Sequence, residues 1–185
     1  METVNQPSPR CASFQNTAVV LAKNCVSLIL QYAVGTRGFV FRGYDAACAG
    51  EDFLPTLREI RQRFADIIAQ LQLQVDLTAD FETIASHLRS VPQRDYMASR
   101  GEYLNSKLLA AYLGVPFIDA MQMILFHTDG SFDVEASNTT IARKLANVER
   151  AVIPGFYGTL PDGMIRTFSR SEERRVGKEC RSRWS

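Results

Sequence analysis

At 185 residues the chain is the size of one domain, and 46% hydrophobic with 22% charged residues is ordinary for a globular protein, not a disordered or collagen-like one. The formal charge of +1 hides an asymmetry: Arg170 to Ser185 holds six Lys/Arg and three Asp/Glu, and without that tail the chain has fifteen basic and seventeen acidic residues, net −2. A near-neutral body has no basic footprint for nucleic acid, and neither the four scattered cysteines nor His87 and His127, forty residues apart, form a metal-ligand or triad spacing.

In chain order, a polar Pro/Ser leader precedes the apolar run Ala18 to Val34. Lys23, Asn24 and Gln31 interrupt that run, and it is shorter than the ~20 residues a membrane span needs. The leader also lacks the basic start of a secretory signal, so the expected location is the cytoplasm, with reduced thiols. From Asp52 the pattern sharpens. Leu57, Ile60, Phe64, Ile67, Ile68 and Leu71 recur at helical spacing behind Pro55, which sits where a missing N–H does no harm. A second helix is predicted from Thr78 as N-cap, with Asp80 and Glu82 in its first turn, Phe81, Ile84 and Leu88 facing inward, and Pro92 as its stop.

The third helix is predicted from about Asp95 through Tyr112, with Gly114 as a left-handed cap. Beyond it the period shortens. Pro116 to Ala120 and Gln122 to Phe126 are strand-sized, Thr128-Asp129-Gly130 is a turn, and a further helix is expected over Glu135 to Val148. Ala151 to Pro154 reads as a central strand running into a Gly155-Phe156-Tyr157-Gly158 loop, and Leu160 to Gly163 as a turn before an extended Met164 to Phe168. Helices alternating with short strands predict an α/β architecture.

Two constellations could carry chemistry. Ser99-Arg100-Gly101-Glu102 taken alone reads first as a surface helical turn, and otherwise as a helix beginning close to a ligand, with Glu102 available to an ammonium group. Gly155 to Gly158 at a strand's carboxyl end reads as a ligand loop or as a tight turn with an aromatic plug. Neither is a phosphate-binding fingerprint, and no such fingerprint occurs in the chain. Asp129-Gly130 and Asp162-Gly163 are turn signals, with no metal assigned.

The order and spacing of these pieces resemble aspartate kinase. The block Tyr96 to Leu113 looks like that family's helix on Ser-x-Gly-Glu, Phe117-Ile118-Asp119-Ala120 resembles the segment after it, and Ala151 to Gly158 resembles its Gly-Phe-x-Gly strand and loop. Asp162-Gly163 and Thr167 to Arg170 match the approach to its Arg-Gly-Gly-Ser-Asp loop. The resemblance runs from about Gly43 to Arg170. It implies a truncated three-layer α/β/α amino-acid kinase fold (carbamate kinase-like), with a helical segment at about 52–90. It also implies a parent enzyme, a homo-oligomer, that uses ATP with Mg to phosphorylate the β-carboxylate of L-aspartate, the first step toward lysine, threonine and methionine. By the same resemblance Glu102 would hold the α-ammonium of aspartate and Arg170 a substrate carboxylate. Ser99 and Gly101 would set the backbone around Glu102, and Gly155, Phe156 and Gly158 would shape the adjoining loop.

The departures are as informative. Residues 1–42 contain nothing like the family's Lys-Phe-Gly-Gly phosphate strand, and residues 171–185 resemble a translated sequencing adaptor in place of Gly-Gly-Ser-Asp. The expected organisation is therefore an unassigned leader at 1–42, a partial catalytic domain at 43–170 and a non-native tail, with no catalytic residue assigned. The rival readings are a related kinase acting on another acyl acceptor, and a non-catalytic interaction module formed by the helices of Asp52 to Ser90.

Overall fold

The computed structural model describes residues 40–168, and residues 40–167 belong to one compact unit. The expectations for the leader, the Ala18 to Val34 run, Arg170 and the tail lie outside the described residues. Helix α1 is described over residues 40–48, followed by α2 (Leu54–Gln70), α3 (Thr78–Ser90) and α4 (Arg94–Leu113). A 3-10 turn at Ala120–Gln122, helix α5 (Val134–Leu145) and strands β1 (Tyr157–Thr159) and β2 (Ile165–Thr167) complete the order. Helix therefore dominates, with one small sheet, as in a truncated α/β chain. Among the described residues no helix is long and apolar enough to cross a membrane.

The helical half follows its periodicity. Ile60, Phe64 and Ile67 fall on one stripe of α2 and are buried, while Arg58 and Arg61 face solvent. Asp52 accepts the Leu54 N–H at 2.9 Å and Pro55 occupies the first turn, so the helix starts with its orphan donors reduced. Phe81, Ile84 and Leu88 of α3 meet this stripe, and the Phe64 and Phe81 rings pack edge to face with centroids 6.0 Å apart. Each such fully buried side chain contributes about 1.5–3 kcal/mol of apolar burial. The α3 cap lies one residue earlier than Thr78: Leu77 is the N-cap residue, and Asp76 accepts the Thr78 N–H at 2.8 Å. Thr78 is drawn into the first turn because that carboxylate is a better acceptor than its own hydroxyl.

Helix α4 ends as expected at Gly114, left-handed at φ 63. Its start is tied to the sheet, because Asp95 accepts the Thr167 N–H at 3.1 Å and the Thr167 hydroxyl at 3.0 Å. Helix α5 is capped by Asp133, whose side chain accepts the Ala136 N–H at 2.9 Å, and it stops at Leu145, short of the predicted Val148. The turns at Gly130 (φ 81) and Gly163 (φ 84) stand where expected.

The strands differ most from expectation. Ala151 to Pro154 is not a central strand: only Val152 pairs, in a single parallel bridge to Phe117. The strand lies in the next segment, where Tyr157, Gly158 and Thr159 pair antiparallel with Thr167, Arg166 and Ile165. Thr159 also bridges Leu125 in parallel, so the predicted Gln122 to Phe126 strand is reduced to two bridge residues after the 3-10 turn. Pro154 donates no N–H and Phe156 adopts φ 56, so the ladder cannot begin before Tyr157.

Candidate functional site

Helix α4 passes between α3 on one side and β2 with the Ala120–Gln122 turn on the other, and the seam opens as a cleft of about 430 Å³. Asp80 and His87 line it from α3, Tyr96, Arg100 and Tyr103 from α4, and Asp119 and Asp162 from the far wall. Tyr96 stacks on His87 at 4.0 Å between centroids, which closes the α3–α4 end.

Arg100 is the centre of this wall. It is 6% exposed, and its guanidinium carbon lies 4.5 Å from the ring centroids of both Tyr96 and Tyr103 and 5.5 Å from that of Tyr157. Three aromatic faces around one guanidinium supply cation–π attraction, which in a desolvated setting is worth about 2 kcal/mol or more for a good contact. Its Nε and Nη2 both donate to Ser99 Oγ, at 3.1 and 2.9 Å, and Ser99 Oγ donates in turn to the Tyr96 carbonyl at 2.7 Å.

The carboxylates are held individually. Asp119 Oδ1 accepts the Tyr157 hydroxyl at 2.7 Å and the Met121 N–H at 3.1 Å. Asp80 accepts the Tyr103 hydroxyl at 2.7 Å on one oxygen and pairs with Lys107 at 2.6 Å on the other. Burial, reinforced by Asp119, pushes the Tyr157 hydroxyl far above the ordinary phenol range. Burial and the bond to Asp80 do the same for Tyr103, and burial raises Tyr96.

These phenols remain donors across the neutral range, which has a consequence for stability. A group whose folded pKa is raised stabilises the fold fully below its unfolded value, about 10 for tyrosine, and loses that contribution as pH rises above it. The urea midpoint of the chain is therefore expected to fall between about pH 8 and about pH 10.5, and Tyr157→Phe should make that fall smaller. An equal fall in the variant would show that the Tyr157 hydroxyl does not contribute.

The sequence-predicted residues separate in space. Ser99 through Glu102 do not open a helix: α4 begins at Arg94, so their N–H groups lie in the helix interior and are not presented to a ligand. Ser99 is fully buried, Gly101 is half-buried, and Glu102 is exposed on α4 and does not line the cleft. The Arg100 contact with Tyr157 nevertheless brings this turn of α4 against the 155–158 segment. Gly155 is exposed and open, whereas Gly158 belongs to β1. Sequence reasoning missed Arg100, Tyr96, Tyr103 and Asp119 as a group. The one available signal was an arginine in register with aromatics at Tyr96 and Tyr103, four residues before it and three after.

A polyphosphate does not fit this cleft. Asp80, Asp119 and Asp162 would face it, against Arg100 as the single Lys or Arg in the lining. Nor do the described residues contain a group of three His, Cys, Asp or Glu able to hold a metal ion. ATP and Mg are thus not assigned to the described residues.

Comparison with solved structures identifies the architecture. The crystal structure of aspartate kinase from Clostridium acetobutylicum matches with a TM-score of 0.70 and 35% sequence identity, over 76% of this chain and 33% of that one. The described chain is aspartate kinase-like. Aspartokinase III of E. coli, solved in complex with aspartate and ADP in the R-state, matches with a TM-score of 0.51 and 19% identity over 64% of this chain and 31% of that one, a likeness of fold alone. The aspartate kinase-like chain thus spans about a third of the length of the solved structures it matches. No protein-family model and no curated protein matches it.

Proposed function

We propose that residues 43–170 are part of the catalytic domain of an aspartate kinase with the three-layer amino-acid kinase fold. The parent enzyme, a cytoplasmic homo-oligomer using ATP with Mg, would phosphorylate the β-carboxylate of L-aspartate and so open the route to lysine, threonine and methionine. The supporting observation is the 35% identity to the C. acetobutylicum enzyme, carried by a chain in which the Ser-x-Gly-Glu helix and the Gly-Phe-x-Gly segment follow in the family's order.

In this reading Glu102, exposed on α4, receives the α-ammonium of aspartate, where a carboxylate gains a charge-assisted hydrogen bond. Ser99 and Gly101 set the helical backbone beneath it, Gly155, Phe156 and Gly158 shape the neighbouring segment, and Arg170 takes a substrate carboxylate. Residues 1–42 and the adaptor-like 171–185 stand outside this domain. The rival interaction module needs a large exposed apolar face, and in α2 and α3 the apolar stripes are buried against each other.

The test is a chimaera of the C. acetobutylicum enzyme with residues 43–168 of this chain in place of the matching segment. It should form aspartyl hydroxamate, and Glu102→Ala should lower the rate about 100-fold or more. A folded, active chimaera indifferent to Glu102→Ala would remove the assignment.

A further inference from the structure

Phe156 holds a backbone that its side chain disfavours. Its φ of 56 lies in the left-handed region, which a bulky residue rarely enters and which glycine would occupy without strain. Glycine stands one residue earlier instead, at Gly155, where φ is not positive. Such an outlier persists only where its surroundings over-determine it, and it points to a site more than to stability.

The surroundings here are one short stretch, residues 116–119. Upstream of the outlier, Val152 bridges Phe117, donates its N–H to the Pro116 carbonyl at 2.9 Å and accepts the Ile118 N–H at 3.0 Å. Downstream, Tyr157 is fully buried, and its hydroxyl donates to Asp119 Oδ1 at 2.7 Å. The four residues 153–156 therefore leave Phe117 and must return beside Asp119, with Pro154 fixing one φ on the way. Pairing with Thr167 holds the Tyr157 backbone to β2, and the bond to Asp119 ties its side chain back to the stretch from which the loop departed. Asp119 is fixed in turn: it is 8% exposed, and Oδ1 also accepts the Met121 N–H at 3.1 Å at the start of the 3-10 turn. Beyond Tyr157 the chain cannot slide, because Gly158 lies against Ile124, whereas Gly155 has open space around it.

We propose that Asp119 is a positioning residue of the substrate site: through the Tyr157 hydroxyl it closes the 153–156 loop, keeps Phe156 left-handed and seats this segment on the Glu102 turn of α4. A carboxylate makes the stronger hydrogen bond to a phenol, and a buried one is tolerated only when so engaged. The seat is the contact of the Tyr157 ring with Arg100, whose guanidinium carbon is 5.5 Å away and which stands two residues before Glu102. The functional half of this inference rests on the aspartate reading above, in which Phe156 shapes the site. The geometric half does not.

The experiment records NMR spectra of the isotope-labelled 185-residue chain, free and titrated with L-aspartate. A left-handed residue brings its own N–H and Hα close together, so Phe156 should show a strong intraresidue N–H to Hα NOE. Tyr157→Phe should lose that signature and speed exchange of the Phe156 amide at least about tenfold. It should also weaken L-aspartate about tenfold, the loss expected when about a tenth of the molecules keep the binding geometry. Asp119→Ala should repeat these effects. Asp119→Asn, whose Oδ1 still accepts from the hydroxyl, should restore the signature and bring the affinity within about twofold. A loss of stability alone would leave the affinity of the folded chain unchanged. A left-handed Phe156 that survives Tyr157→Phe overturns the proposal, and so does its absence from the unmodified chain, a measurement that needs no variant to fold. L-Aspartate binding unchanged by Tyr157→Phe, or no binding by the unmodified chain, would remove the role in the site whatever the NOE shows. Glu102→Ala separates the two readings: if it leaves L-aspartate binding intact while Tyr157→Phe weakens it, the ammonium assignment falls and the positioning role stands.

Discussion

Given ATP, Mg and L-aspartate, the purified 185-residue chain should produce no aspartyl hydroxamate above background. Phosphoryl transfer depends on clamping the phosphates and neutralising charge as it develops, with little covalent help from the protein. Removing a single such donor commonly costs about 100-fold to 1,000-fold in rate. No Lys-Phe-Gly-Gly and no Arg-Gly-Gly-Ser-Asp occurs anywhere in the sequence, and the cleft of the described residues presents three aspartates against one arginine. Two missing phosphate elements at about 3 kcal/mol each would already lower the rate by four orders of magnitude or more. The hydroxamate assay decides the matter, with Glu102→Ala as control. Turnover that disappears in the variant would mean that residues 1–42 supply a phosphate site in an unfamiliar form.

Gly158→Ala should strongly destabilise the described chain. A Cβ at this position would lie 2.3 Å from the Ile124 carbonyl oxygen, 2.5 Å from Ile124 Cγ2 and 2.8 Å from Ile124 Cβ. The oxygen cannot retreat, because it accepts the Thr159 N–H at 2.9 Å, in the bridge that joins β1 to the 124–126 segment. Overpacking that must move backbone costs about 3 kcal/mol or more, roughly a 10 °C drop in Tm for a chain of this size. Gly155→Ala is the matched control: it lies three residues away with nothing within 4 Å of the added carbon, and should change stability by less than about 1 kcal/mol. Thermal denaturation of both variants tests the pair. Similar midpoints would show that the β1 contact with Ile124 is looser than described.

These two glycines also show where local reading stops. Both appeared in the sequence as members of one loop near a substrate, and nothing in Gly-Phe-Tyr-Gly distinguishes them. The distinction arises from Ile124, more than thirty residues away, lying across β1 at the position of Gly158 alone. The displaced strand has the same origin. Ala151 to Pro154 is more apolar than Tyr157 to Thr159, yet pairing requires a partner with matching donors and acceptors, and β2 supplies one only to the later segment.

By itself the sequence determined the helices whose buried face is a single stripe, α2 and α3, and the turns at Gly114, Gly130 and Gly163, where a left-handed backbone needs glycine. It also determined the likeness to aspartate kinase, because ordered motifs are a property of the chain alone. Helix α4 marks the limit. Tyr96, Met97, Ser99, Arg100, Leu104, Ser106, Leu108 and Ala110 are buried on several sides of it, so no single apolar stripe shows which side faces what. An arginine and a serine in that helix read as surface residues until α3, Asp119 and Tyr157 enclose them. Only the tertiary structure placed Arg100 in its cage and held Asp119 apart from it. Burial of a charge is decided by which distant segments pack around it, and local periodicity carries no record of them.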